Sequence, residues 1–170
     1  GVLRYSSMAD TRKEYIISLA EKEGIKKCGF SDGAFVALFP YYVKDDNGNV
    51  SMYARGLDYH KIIEEKLERI AEGFIKLGSV FSQVHVDKGK LNDRDAAFKA
   101  GLGFYGKNGM LICREFGSYF FIGQVTHTLD IEADGESGER CLACGRCIKE
   151  CIGGALSENG FDIKRCVSEI

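Results

Sequence analysis

The sequence predicts an α+β protein: a body of mixed helices and strands followed by a short cysteine-rich segment. Three observations carry this reading. Amphipathic helical stripes of period 3.6 are interleaved with apolar runs of strand length. Glycine is abundant, with 21 residues, and Pro40 is the only proline, so the turns are expected at Gly, Asn and Asp. Five of the seven cysteines, Cys141, Cys144, Cys147, Cys151 and Cys166, crowd the last 30 residues.

A chain of 170 residues suits one domain with a small appendage. The expected division is a body over residues 8–130, with Met8 as the natural start, and a cysteine segment over 131–170. A net charge of −2 gives no broad basic surface for nucleic acid, although a local patch remains open. No signal peptide and no long apolar run is visible, so a soluble, cytoplasmic protein without membrane association is expected. Seven cysteines in that setting point to metal ligation rather than disulfides.

The first element expected is an amphipathic helix over 8–23, with Tyr15, Ile16, Leu19 and Ala20 on one face and Gly24 as its C-cap. A short strand over 25–30 contains Cys28, whose apolar neighbours favour a core position. Ser31-Asp32-Gly33 turns the chain into FVALFPYYV, a strand buried on both faces, with Pro40 at an edge or bulge. DDNGN at 45–49 is a polar turn.

The clearest helix spans 56–77, because Ile63, Leu67, Ile70, Phe74 and Leu77 step by 4, 3, 4 and 3. Asp58-Tyr59-His60 stands at its start. Asp58 reads equally as an N-cap or as part of a site. A strand over 80–86 delivers Asp87, which reads as a turn residue or as a catalytic carboxyl. Asn92 and Asp93 then cap a helix to Ala100, with Arg94 in its first turn.

Gly101-Leu-Gly103-Phe-Tyr-Gly106 has the G-x-G-x-x-G pattern. It closes a helix and precedes a strand, the reverse of a dinucleotide fingerprint, so it reads as a tight turn or a close backbone approach. Strands over 110–114 and 118–128 around Phe116-Gly117 suggest a hairpin, with Cys113 a core residue on the first. The polar stretch DIEADGESGER at 130–140 reads as a boundary. Short helices are expected over 145–151 and from Asp162 onward.

Cys141-x2-Cys144-x2-Cys147-x3-Cys151 has the spacing that holds iron–sulfur clusters in bacterial ferredoxins. Three thiolates within seven residues can each take one corner of a single cuboidal cluster. Ala143 and Gly145 let the backbone turn and aim amides at sulfur. Structural zinc usually joins two separated C-x2-C knuckles. Cys151 is followed by Ile152 rather than proline, and only Cys166 comes after it. These two therefore look like ligands of a second cluster whose other ligands the sequence does not contain.

Taken together, several motifs resemble the epoxyqueuosine reductases, a family similar to reductive dehalogenases. They are Gly56-Leu-Asp58-Tyr59-His60, Val86-Asp87-Lys-Gly89, Asn92-Asp93-Arg94, Gly101 to Asn108, Phe116-Gly117-Ser118-Tyr119, the cysteine run and Arg165-Cys166. The resemblance implies a nitroreductase-like α/β sandwich with a partial ferredoxin-like module. It implies 4Fe–4S clusters and cobalamin as cofactors, with tRNA and an electron-donor protein as partners. Asp87 matches the family's proton donor. Asn92, Asp93, Arg94, Leu111, Cys113 and Ile122 match residues lining its cobalamin. Cys141, Cys144, Cys147, Cys151 and Cys166 match its cluster ligands. The segment before FVALFPYYV is shorter than in typical members, Ser51 falls where the family often has cysteine, and a second cysteine run is missing. A shortened or truncated relative is therefore expected. Asp87, Asn92, Asp93 and Arg94 are expected to face one cavity, with Lys107 and Asn108 opposite. The rival reading is a non-catalytic iron–sulfur electron-transfer or corrinoid-binding module serving a partner protein. A third is a degenerate domain kept for its fold.

Overall fold

The computed structural model describes residues 8–44, 50–87 and 92–169. Helix α1 (Met8–Lys22) leads to the hairpin β1 (Lys27–Ser31) and β2 (Ala34–Pro40). Helix α2 (Tyr59–Lys76), β3 (Ser82–Val86) and helix α3 (Asp93–Lys99) follow. Then come the two-residue strands β4 (Phe104–Tyr105) and β5 (Leu111–Ile112), and the long β6 (Phe120–His127). The cysteine segment holds α4 (Arg146–Lys149), β7 (Leu156–Ser157) and β8 (Gly160–Phe161). The polar turn expected at 45–49 and the Lys88-Gly89 pair lie outside the described residues, as does Gly1–Ser7.

The main sheet has the order β1-β2-β6-β3 and is antiparallel throughout. Helices cover both faces. On one side Phe35, Ala37 and Val125 of the sheet meet Ile16 and Ala20 of α1 and Ile63, Leu67, Ile70 and Phe74 of α2. On the other, Val36, Leu38 and Ile122 meet Ala97 of α3 with Leu102, Leu111 and Cys113. Alternation of side chains along β2 sends neighbours to opposite layers, which is why FVALF reads as a continuous apolar run. Pro40 closes β2, opposite Phe120, where its missing N–H costs the ladder nothing further. Glycine is required at Gly29, where a Cβ would come within 2.5 Å of the Ala100 carbonyl oxygen.

Three expectations change. The helix over 56–77 begins only at Tyr59, because the Asp58 side chain accepts from the His60 amide and caps it. The hairpin around Phe116-Gly117 shrinks to a single bridge between Cys113 and Gly117. Strand β5 pairs with β4 instead, and β6 crosses to the middle of the main sheet. Ile122 and Val125 face opposite layers, and the interior position of β6 in the sheet lets both be buried. The 130–140 stretch, read as a boundary, packs on the body. Ile131 enters the core, and Asp134 grips β1 through the Phe30 amide and carbonyl and an ion pair with Lys13 at 2.7 Å.

His127 ends β6 buried, stacked on Phe74 at 4.2 Å between ring centres, and neither ring nitrogen has a hydrogen-bond partner. Burial lowers its pKa below the ordinary 6.5; the Leu129 backbone opposes this without reaching hydrogen-bond geometry. The unfolded chain therefore binds the proton more readily than the folded one. Stability is fully present above 6.5 and falls as pH drops from there through the lowered folded value. Urea unfolding across that window should show the loss, and His127→Phe, which keeps the stack, should reduce the slope.

Candidate active site and cysteine segment

Asp87 stands where β3 ends, just after the buried Val86, with a left-handed φ of +50°. Its Oδ2 accepts a 2.5 Å hydrogen bond from the Tyr59 hydroxyl. Tyr59 opens α2, and its ring lies flat on Phe121 of β6, 3.6 Å between centres and 8° from parallel. His60 stacks on the other side of Tyr59 at 4.0 Å. The Asp58 carboxylate holds His60 twice, at the amide (3.0 Å) and at Nδ1 (2.9 Å). That leaves His60 Nε2 3.7 Å from Asp87 Oδ2. Asp58 is thus both a cap and the residue that aims His60.

The start of α3 supplies a second polar group. Asn92 caps it, accepting from the Asp95 amide at 3.2 Å. Asp93 accepts from Nε2 of the buried Gln124. Burial raises the Asp93 pKa; the Gln124 bond opposes this, Asp87 adds to it and His85 lowers it. Arg94 donates to the Gly109 carbonyl at 2.9 Å. Among the described residues, the four expected neighbours make different contacts. The Asp87 carboxylate is near enough to add to the rise in the Asp93 pKa. Asn92 instead opens on a pocket of about 150 Å³ with Ser31, Asp95, Lys99 and Thr126, and Arg94 ties down the glycine-rich turn. Two hollows of about 360 Å³ each share the walls Tyr41, Tyr59, Ile62 and Phe121.

The side chains of Leu111, Cys113 and Ile122 are buried in the second core layer. Cys28 is half-buried and packs on the first; burial pushes its thiol up to about 11, which disfavours the thiolate. Lys107 and Asn108 do not face Asp87. Lys107 pairs with Glu158 of the cysteine segment, and Asn108 accepts from the Met110 amide within its own turn.

The cysteine segment carries features suited to soft, anionic sulfur. The Ala143 and Lys107 backbone amides hold the Cys141 pKa below its ordinary value. The Leu156 amide, with those of Ala155, Gly154 and Gly153, does the same for Cys151. Ala143 and Gly145 take left-handed φ values of +51° and +71°, the tight turning expected between ligands. The short helix expected over 145–151 is α4, and Cys166 directly follows a 3₁₀ turn over Ile163–Arg165. Among the described residues, no three donors converge on a point that would hold one ion. A cuboidal cluster asks for something else: each thiolate takes its own iron corner, and amides point at sulfur. Thiolate donors with amides aimed at Cys141 and Cys151 are the chemistry such a cluster uses.

Sequence reasoning missed the bond from Tyr59 to Asp87 and the Phe121 stack beneath it. The signal was the aromatic residue beside a capping aspartate, but only the sheet order shows what it touches.

The family model described as "Epoxyqueuosine reductase QueG, DUF1730" matches residues 35–87. An epoxyqueuosine reductase from Lactococcus garvieae is 35% identical over 161 residues, covering 94% of this chain and 46% of that protein. One from Salmonella typhimurium is 37% identical over 135 residues, covering 78% of the chain and 35% of that protein. The solved epoxyqueuosine reductase of Streptococcus thermophilus superposes with a TM-score of 0.77 at 26% identity, over 92% of this chain and 57% of that one. A catabolic reductive dehalogenase shares the fold, with a TM-score of 0.60 at 16% identity, over 80% of this chain and 21% of that one. The chain thus spans about half the length, or less, of the relatives it matches. No helix among the described residues is long and apolar enough to cross a membrane. The chain is thus similar over most of its length to epoxyqueuosine reductases, and it shares their mixed helix-and-strand fold.

Proposed function

We propose that this chain is the catalytic part of a cytoplasmic iron–sulfur, corrinoid-dependent reductase that removes the epoxide oxygen of epoxyqueuosine in tRNA. The observation that carries the reading is Asp87: an exposed carboxyl at a strand end, with its Oδ2 held by the Tyr59 hydroxyl. A relative's structure is described as bound to an epoxyqueuosine-modified tRNA stem loop, which supports tRNA as substrate. The body over 8–130 would be the nitroreductase-like sandwich, and 131–170 the partial ferredoxin-like module.

Reducing an epoxide to an alkene takes two electrons and two protons and releases water. A corrinoid, when bound, supplies the low-potential chemistry at the substrate carbon. The chain's residues do the rest. Asn92, Asp93 and Arg94 would hold the corrinoid, whose rim of amides suits this polar corner with its buried Gln124; Leu111, Cys113 and Ile122 would contribute the apolar backing. Asp87 would give a proton to the departing oxygen, work that a positioned carboxyl can do. Cys141, Cys144 and Cys147 would hold one 4Fe–4S cluster, and Cys151 and Cys166 part of a second. Electrons enter there from an electron-donor protein.

The test is direct. The anaerobically reconstituted protein, given cobalamin and a chemical reductant, should convert an epoxyqueuosine stem loop to the queuosine form, read by mass. Absence of product, with cobalamin binding and electron transfer intact, would favour the electron-transfer module instead.

A further inference from the structure

We propose that Tyr59 is the positioning residue for Asp87: its hydroxyl pins Oδ2 and so presents Oδ1 as the atom that delivers the proton. This rests on the reading of Asp87 as proton donor. The 2.5 Å bond crosses from α2 to the end of β3, so it fixes a carboxyl whose own backbone has left the strand with φ +50°. Tyr59 is itself held immobile. Phe121 lies against one face of its ring and His60 near the other, and the Asp58 cap fixes the turn of helix that carries it. An aromatic side chain with two short torsions and both faces covered loses little on making the bond.

The donor is also constant. Burial first, and then the bond to Asp87, push the Tyr59 phenol up to about 12, so it keeps its proton wherever the enzyme works. His60 Nε2 lies farther from the same oxygen, at 3.7 Å, and Asp93 faces the corner from α3. Neither makes a direct bond to Asp87 as short as that of Tyr59. A plain tertiary staple would account for the bond but not for its placement on one oxygen of the carboxyl assigned to the chemistry.

Tyr59→Phe removes the hydroxyl and keeps the stack, so the fold should survive. In protein labelled with carbon-13 at aspartate carboxyls, the Asp87 resonance is the one lost in Asp87→Asn. It should move in Tyr59→Phe and stay in place in Tyr53→Phe, which alters the neighbouring hollow. In the reconstituted enzyme kcat should fall about ten- to a hundredfold, with KM within about twofold. An unmoved Asp87 resonance would overturn the proposal. So would a rise in KM at constant kcat, which would make Tyr59 a substrate-binding group. If the resonance moves but Asp87→Asn keeps the wild-type rate, the hydrogen bond stands and the proton-donor reading falls.

Discussion

Asp87→Asn is expected to lower the turnover of epoxyqueuosine about 10²–10⁴-fold, the contribution typical of a positioned general acid. The substitution is close to isosteric. An asparagine carbonyl still accepts from the Tyr59 hydroxyl, and asparagine tolerates the left-handed backbone found here at φ +50°. What disappears is the acidic proton. Cobalamin binding, followed by its visible spectrum, and thermal stability should both stay near wild type, so the loss will sit in kcat. The rate should be measured with reductant in excess, so that electron delivery does not limit it. A variant that turns over at the wild-type rate would remove Asp87 from the chemistry and return it to the role of a strand-end turn residue.

Replacing Cys141, Cys144 and Cys147 together by serine is expected to abolish the iron–sulfur cluster. A serine hydroxyl is a hard, weakly acidic donor, and the site is built to favour thiolate: backbone amides already draw the Cys141 pKa down. Iron and sulfide content after anaerobic reconstitution should drop to the background of the unreconstituted protein. The body should not notice. None of the three side chains is buried, and neither core layer contains them, so its thermal unfolding should be nearly unchanged. Serine at Cys28 and Cys113 is the reciprocal control: a hydroxyl at the buried Cys113 will cost stability and leave the iron content alone. Full cluster content in the triple variant would show that the ligands lie elsewhere.

Much of this protein is legible in the sequence because short-range periodicity and spacing encode it. The stripe Ile63–Leu67–Ile70–Phe74 needed only a helix to become a buried face, and it did so. The glycine-rich run was readable as a turn because it follows a helix, and the structure makes it the passage from α3 into β4, with Gly101 at φ +70°. The cysteine spacing raises an iron–sulfur reading without any fold. What the sequence could not decide is which distant segments meet. Strand β6 reads locally as the second arm of a hairpin, yet burial on both faces draws it between β2 and β3. The acidic stretch at 130–140 reads as a boundary, and only the fold shows that Asp134 clamps β1. Lys107 reads as a wall of the Asp87 site, yet it pairs with Glu158 beside the cysteines. Tyr59 and Asp87 lie 28 residues apart, and no local pattern links them. The sequence by itself determines element type, capping and ligand spacing, since these depend on neighbours within a turn or two. Only the tertiary structure decides sheet order and the pairing of remote polar groups, because those follow from burying two apolar layers at once.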